Sequence, residues 1–339
     1  MPKYVIHVGP PKTASSYLQS MLYLSREALR ADGIIYPDDW WTIAGESTHW
    51  PVIQLLRQGR HAELKETFAR INSTGCRIVV LSCEDFDELS LEGLLNVIGN
   101  NSVDVVYYCR RWCERIPSAW KQAVRTGLYP TFPEHYLTLT RHPRLSSAVN
   151  SSLLWAHIVR IFGRSSLKLV SYNNLRDQRI DLFSHFTEQF LGWRGRPDIG
   201  KEPLVVNPSA TTIDTEIVRA LNWLDFQSVG RRRANMNIQF TLMRPALDTR
   251  VIEEAMVEDM AHFELSDSAE AFQLSWKEMQ SYSDCLVPRT YFRARLFELG
   301  TASMPYVRSN FLLKDRAARE LRSLYKRLDA APCAGRGLT

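Results

Sequence analysis

No apolar stretch in this chain approaches the roughly 20 residues that a membrane-spanning helix needs, so a membrane anchor is not expected. A strand candidate opens at Tyr4, which leaves no room for a secretory leader. Paired C-x-x-C spacing is missing: Cys76, Cys83, Cys109, Cys113, Cys285 and Cys333 stand apart, with no histidine cluster beside them. That argues against zinc. Cysteines next to apolar runs read instead as buried thiols of a reducing compartment, and a cytoplasmic protein is expected. Low-complexity tracts and internal repeats are missing too, and no block of like charge forms a nucleic-acid-binding arm. The net charge of +5 over 339 residues favours anionic ligands only slightly.

What is present is an alternation. Composition is that of a globular protein, 45% hydrophobic and 23% charged, and the length supports a substantial core. Short apolar runs at residues 4–8, 78–82, 103–108 and 167–172 read as buried strands. Helical spacing follows at 15–31, where Leu18, Met21, Leu22, Ala28 and Leu29 recur and Gly33 stands at the C-cap. It returns at 111–126 and around 180–191. Strands alternating with helices predict an α/β fold, a central parallel sheet flanked by helices. In such sheets ligands bind beyond the carboxyl ends of the strands. From Lys201 the pattern is mainly helical, at 211–224, 251–263, 267–281 and 310–328. The expected organisation is an α/β core over 1–200, a mainly helical region over 201–329 packing on it, and a frayed tail over 330–339.

Between the first strand and first helix the chain reads Gly9-Pro10-Pro11-Lys12-Thr13-Ala14-Ser15-Ser16-Tyr17. Free N–H groups at a helix amino terminus, with the helix dipole behind them, bind phosphate or sulfate. Thr13, Ser15 and Ser16 add hydroxyls, and Lys12 adds a mobile positive charge. The alternative is an ordinary turn in which Ser15 or Ser16 caps the helix and Lys12 is solvated. The Walker A pattern G-x-x-x-x-G-K-[ST] ends on its lysine. Here Lys12 comes early, the second glycine is absent and no hydroxyl is placed for magnesium, so an ATP-using kinase or hydrolase is disfavoured.

Pro11-Lys12-Thr13-Ala14-Ser15-Ser16-Tyr17-Leu18 resembles the 5′-phosphosulfate loop of sulfotransferases that use 3′-phosphoadenosine 5′-phosphosulfate (PAPS), written P-K-[ST]-G-[ST]-[ST]-[WY]-L. The departure is Ala14, where the family has glycine; alanine costs little if the backbone there is helical and more if φ is positive. In the family a second strand ends in arginine, and a serine follows eight residues later on a helix. Arg110 and Ser118 have that spacing, about a hundred residues after Lys12, and the resemblance implies that they hold the 3′-phosphate. Arginine suits this because its planar fork grips phosphate oxygens in pairs; Arg111 is a competing candidate. Ser171-Tyr172-Asn173-Asn174-Leu175 is similar to the family's strand-Tyr-Glu-x-Leu stretch, whose tyrosine lies near the adenine, so Tyr172 and Tyr17 are candidates to contact the purine. Arg231, Arg232 and Arg233 are candidates for a late basic loop over the 3′-phosphate, with surface charge as the alternative. Val206-Asn207-Pro208-Ser209 and Gly33-Ile34-Ile35-Tyr36-Pro37 look like bacterial members. The resemblance implies a P-loop-like three-layer fold and PAPS as co-substrate without a metal. It also implies PAPS contacts from Pro11, Lys12, Thr13, Ala14, Ser15, Ser16, Tyr17, Arg110, Ser118 and Tyr172, and a carboxyl-terminal region that helps to form the acceptor site.

Sulfuryl transfer resembles phosphoryl transfer, an in-line displacement through a loose transition state. The resemblance implies that Lys12 meets the charge developing on the leaving bisphosphate, and that Ser118 holds Lys12 away until the acceptor arrives. The acceptor hydroxyl must lose a proton to a base. Glu84, where the strand over 78–82 runs into Cys83-Glu84-Asp85-Phe86, is similar to the glutamate base of carbohydrate sulfotransferases; His49 is the runner-up. His7, inside the first strand, reads as a core residue. Trp40, Trp41, Trp50, Trp112, Trp120 and Tyr129 offer platforms for a sugar ring or a phenol, although tryptophans of this number are mostly core. A carbohydrate or glycolipid hydroxyl is the expected acceptor. A small-molecule alcohol, phenol or amine, or a non-catalytic nucleotide- or glycan-binding protein, is the alternative.

Overall fold

Buried apolar runs of the first half of the chain lie side by side as one parallel sheet. A computed structural model describes residues 1–39, 47–195, 210–229, 235–287 and 296–330. In chain order it begins β1 (Lys3–His7), α1 (Ser15–Leu24), α2 (Arg26–Ala31), β2 (Ile34–Ile35), α3 (Trp50–Arg57), α4 (His61–Ser73), β3 (Ile78–Ser82), α5 (Glu88–Ile98) and β4 (Val103–Cys109). Next come α6 (Trp112–Arg125), α7 (Phe132–Thr140), α8 (Ser152–Phe162), β5 (Leu167–Ser171), α9 (Tyr172–Asp177) and α10 (Leu182–Phe186). The remainder is α11 (Thr212–Val229), α12 (Asn235–Met243), α13 (Arg250–Glu258), β6 (Met260–Ser266), α14 (Glu270–Gln280), β7 (Thr301–Val307) and α15 (Asp315–Ala330).

These elements fall into two units. One comprises Met1–Arg111, Pro143–Asn207 and Glu270–Leu299; the other comprises Trp112–His142, Pro208–Ala269 and Gly300–Thr339. The chain therefore passes repeatedly from one unit to the other, an interleaving that a single boundary near residue 200 does not anticipate.

In the first unit the sheet order is β2-β3-β1-β4-β5, all parallel. His7 is in register with Ser82 on one side and Val106 on the other, and Cys109 with Ser171, so β1 ends level with β3 while β4 and β5 end together farther along. Successive side chains leave opposite faces of a strand. Val5, Val80, Val106, Tyr108 and Val170 meet Leu18, Leu22, Leu29, Leu175 and Phe183 of α1, α2, α9 and α10. On the other face Tyr4 packs its ring on Phe68 of α4, and Tyr107 packs on Trp155 of α8. Helices thus cover both faces, which explains why the strands are apolar runs without alternation. Chain order reverses around β1, which lies between β3 and β4, and a crevice for ligands is expected at that switch.

The second unit pairs β6 and β7 antiparallel, from Met260 opposite Val307 to Ser266 opposite Thr301. Phe263 of β6 packs against Phe132 and Tyr136 of α7, with ring centroids 5.6 and 5.0 Å apart. Arg219 and Glu216 of α11 form a buried ion pair, and Glu216 also accepts the Val307 N–H at 2.8 Å.

Several sequence expectations shift. The helix over 15–31 is two helices meeting at Ser25. The helix around 180–191 is the short α10 followed by a π-helical turn, Thr187–Leu191, closed by Gly192 at φ +62°. The helix over 251–263 ends at Glu258, and its last residues become β6. Their partner strand lies some forty residues ahead, so a non-local pairing overrides the local helical pattern. The mainly helical region therefore contains a two-stranded sheet. Among the described residues no helix is long and apolar enough to cross a membrane.

Candidate functional site

At the carboxyl end of β1 the backbone turns through two non-glycine residues with positive φ, Lys12 at +74° and Ala14 at +59°. Ala14 is the N-cap residue of α1, and no side chain caps that helix; its first turn holds no acidic residue. The first-turn N–H groups therefore lack both an intrahelical carbonyl and a side-chain cap, the state that suits an anion. Ser15 and Thr13 are buried; Thr13 donates to the Pro10 carbonyl at 2.9 Å and lies 3.5 Å from the Ser15 hydroxyl, fixing the turn. Pro11 and Ser16 are exposed, and Lys12, Ala14 and Tyr17 are half-buried. The expectation that Ser15 or Ser16 caps the helix is not met.

Beneath this loop lies His7, fully buried, with Nδ1 2.8 Å from the Ser82 hydroxyl and Nε2 without a hydrogen-bond partner. A methyl group at Gly9 would come within 2.7 Å of that Nε2 and 3.2 Å of Thr13 Oγ1. Glycine is therefore required for the loop to lie so close to the imidazole. Burial drives the His7 pKa down to about 3, so the ring is neutral.

The carboxyl end of β3 delivers Glu84. Four acidic residues crowd this stretch, and the carboxylates of two have structural employment. The Asp85 side chain is exposed while its carbonyl accepts from Arg57; Asp87 caps α5 in a capping box with Ser90; Glu88 pairs with Arg160 and His157. Glu84 lies on the loop side, near enough to Ser15 and Lys12 for both to favour its ionised form. Burial is the largest influence and raises its pKa above the usual carboxylate value, against the opposing effects of Ser15 and Lys12. A carboxylate with raised basicity suits proton abstraction.

The carboxyl end of β4 delivers two arginines with different tasks. Arg110 donates from its guanidinium to the Lys12 carbonyl and stands 5.5 Å over the Tyr172 ring. Arg111 donates to the Glu298 carbonyl at 2.7 Å and pairs with Asp177 at 3.6 Å. Arg110 is thus bonded to the loop, whereas Arg111 is engaged by Glu298 and Asp177. The end of β4 is held by a residue to which the sequence motifs assign no role. Fully buried Asn173 accepts the Arg111 N–H at 2.9 Å, locking the end of β4 to that of β5. An Asx residue directly after a strand is the only sequence signal for it, and that is a weak one. Tyr172 opens α9, with Ser171 capping it. Tyr17 donates to Asp181 at 2.6 Å, another partner unseen in the sequence.

His49 is not free to act as a base. Its Nδ1 accepts the Ser82 N–H at 3.1 Å and its Nε2 donates to the Pro37 carbonyl at 2.9 Å, while its own N–H donates to the Ser82 carbonyl at 2.9 Å. Burial lowers its pKa to about 4. The ring is a strut that fixes the end of β3, with both nitrogens engaged. Ser118 lies two turns into α6, half-buried and in the second unit, so it is not among the residues that the first unit brings together. Trp112 and Trp120 are fully buried, and Tyr129 stacks on Phe226, whereas Trp50 opens α3 with its indole exposed. Trp40, Trp41, Val206–Ser209, Arg231–Arg233 and the tail beyond Ala330 lie outside the described residues.

No family model, curated protein or solved structure matches the chain. The site is therefore read from its own chemistry. Lys12, Ser15, Glu84, Arg110 and Tyr172 come from the carboxyl ends of β1, β3, β4 and β5, the level at which open α/β sheets bind ligands. Together they offer a helix amino terminus and two cations for an anion, an aromatic ring for a flat group, and a basic carboxylate beside the anion. Among the described residues no group of three or more His, Cys, Asp or Glu could hold a metal ion.

Proposed function

We propose that this chain is a PAPS-dependent sulfotransferase with a P-loop-like core. It would move a sulfuryl group to a hydroxyl of a carbohydrate or glycolipid, with an amine as a further acceptor. The observation that carries the reading is the meeting of Lys12, Ser15 and Glu84 at the start of α1, with Arg110 bonded to the same loop. An anion seat, a second cation for a second phosphate and a base are all required by a doubly phosphorylated donor and a hydroxyl acceptor. In this scheme the first-turn N–H groups hold the 5′-phosphosulfate, Arg110 reaches for the 3′-phosphate, and Tyr172 or Tyr17 contacts the adenine. Lys12 neutralises the bridging oxygen as the bond to sulfur breaks. Glu84 removes the acceptor proton, and the exposed indole of Trp50 offers a platform for a sugar ring.

A small-molecule enzyme based on His49 is disfavoured because both ring nitrogens are engaged. The buried free thiols Cys76, Cys83, Cys109, Cys113 and Cys285 fit a reducing compartment such as the cytoplasm. The test is to measure affinity for adenosine 3′,5′-bisphosphate against adenosine 5′-phosphate, then transfer of labelled sulfate from PAPS to a panel of glycans and small alcohols. Tight, 3′-phosphate-dependent binding with transfer is expected. Equal affinity for the two nucleotides would sink the role of Arg110, and binding without transfer to any acceptor would favour a recognition module.

A further inference from the structure

One buried group at the site has no task in sulfuryl transfer as proposed. His7 ends β1, fully buried, with its ring edge-on to those of Tyr108 at 5.7 Å and Phe186 at 6.1 Å. Its Nδ1 lies 2.8 Å from the Ser82 hydroxyl, and its Nε2 has no hydrogen-bond partner. A Cβ at Gly9 would stand 2.7 Å from that Nε2 and 3.2 Å from Thr13 Oγ1, so the ring nitrogen and the hydroxyl both border the space that the glycine leaves open. A buried polar atom left unpaired is costly, and its presence calls for a reason.

The loop above the ring is strained. Thr13 stands between Lys12 and Ala14, two residues that bear side chains at φ +74° and +59°. Such backbone persists where its surroundings hold it, and it gathers at ligand sites. The helix that follows has no side-chain cap. An uncapped amino terminus and a buried nitrogen that lacks a partner thus meet at one turn.

We propose that His7 is a positioning residue of this anion seat: with an oxyanion at the amino terminus of α1, the loop settles on the imidazole and Nε2–H donates to Thr13 Oγ1. The inference rests on the anion seat of the sulfotransferase reading and deepens it. Proton counting sets the direction of the bond. A threonine hydroxyl has one proton and two lone pairs; the Thr13 proton is engaged by the Pro10 carbonyl at 2.9 Å, so toward His7 this oxygen accepts. Nε2 then carries the ring proton, and Ser82 donates to Nδ1. The chain Ser82–His7–Thr13 ties the ends of β3 and β1 to the loop. The neutral ring brings no charge to the anion. It favours binding by holding the turn that presents the N–H groups, from the side opposite the ligand.

The test is nuclear magnetic resonance of the full chain carrying 15N in its histidine rings, titrated with inorganic sulfate and, separately, with adenosine 3′,5′-bisphosphate. Loss of the His7 signals in His7→Gln assigns them. The ring should be the Nε2–H tautomer, and its proton resonance should move downfield as sulfate fills the seat, in step with binding followed by calorimetry. His7→Gln, whose amide reaches as far as Nε2, should keep sulfate affinity within about twofold. His7→Asn, whose amide reaches only as far as Nδ1, should lose roughly three- to tenfold, the contribution of one hydrogen bond. Equal losses in the two variants would reduce His7 to packing and overturn the proposal. Should neither variant fold, the wild-type resonance decides. A proton unmoved at saturating sulfate, or an Nδ1–H tautomer, overturns the role of His7 and leaves the donor reading intact if the bisphosphate binds. A proton moved by sulfate in a protein that ignores the bisphosphate upholds His7 and overturns the sulfotransferase reading. Binding of neither probe overturns both.

Discussion

Arg110 donates its guanidinium hydrogen bond to the carbonyl oxygen of Lys12, so the end of β4 is tied directly to the loop that follows β1. Two strand ends 98 residues apart in sequence are thereby joined, and the Arg110 guanidinium is fixed against the loop backbone.

On the proposed reading, removing the Lys12 charge would separate catalysis from binding. Lys12→Ala should then lower sulfuryl transfer by two to three orders of magnitude, the loss seen when one preorganised donor is removed, roughly 3–4 kcal/mol. Affinity for adenosine 3′,5′-bisphosphate should change much less. Steady-state kinetics beside calorimetry check this, and a variant with unaltered turnover would remove Lys12 from the mechanism.

Ala14 sits at φ +59°, where a side chain is strained by roughly 1–2 kcal/mol. Glycine removes that strain but frees the unfolded chain, a cost of roughly 0.5–1 kcal/mol. Ala14→Gly should therefore be neutral or stabilise by up to about 1 kcal/mol, with nucleotide affinity retained. Thermal unfolding reads the outcome; marked destabilisation would show that the alanine methyl has a packing role.

Asn173 holds the Arg111 N–H from a fully buried position. Asn173→Ala leaves that donor without its acceptor, costing roughly 1–3 kcal/mol of stability. The end of β4, from which Arg110 projects, also loses its tie to the end of β5. Binding of adenosine 3′,5′-bisphosphate should weaken more than binding of adenosine 5′-phosphate. Equal weakening of the two would mean that Asn173 supports the fold alone.

Acid should unfold the first unit through its buried imidazoles. His7 and His49 titrate in the unfolded chain near 6.5 but in the folded chain at about 3 and about 4. The unfolded state thus binds protons first, and stability is fully present above about pH 6.5 and drains away as pH falls toward 4. His49→Gln should flatten that acid loss and leave the basic requirement of sulfuryl transfer where it was. A shift of the catalytic pH profile in that variant would reinstate His49 as a base.

Much of this arrangement was legible in the chain. Residues 78–82 are β3 with the same bounds, and 4–8, 103–108 and 167–172 match strands to within a residue at either end, because short, mostly apolar runs suit a sheet covered on both faces. Lys12, Glu84 and Arg110 could be singled out because each lies within five residues of the end of such a run. What stayed hidden depends on contacts between distant residues. The partners of His49 lie at Pro37 and Ser82, so nothing near His49 reveals that its ring is a strut. β6 finds its partner at Thr301–Val307, and its own composition reads as helix. Asn173 and Asp181 look like loop residues until the ends of β4 and α1 are brought to them.

The place of β1 at the middle of the sheet carries a consequence for how such a chain can diversify. Its neighbour on one side supplies the carboxylate and its neighbour on the other supplies the arginine, while β1 itself supplies only the loop between them. On the proposed reading, substitutions along the β3 flank would retune which hydroxyl is accepted. The grip on the nucleotide, hung from β4 and β5, would pass unaltered from one descendant to the next.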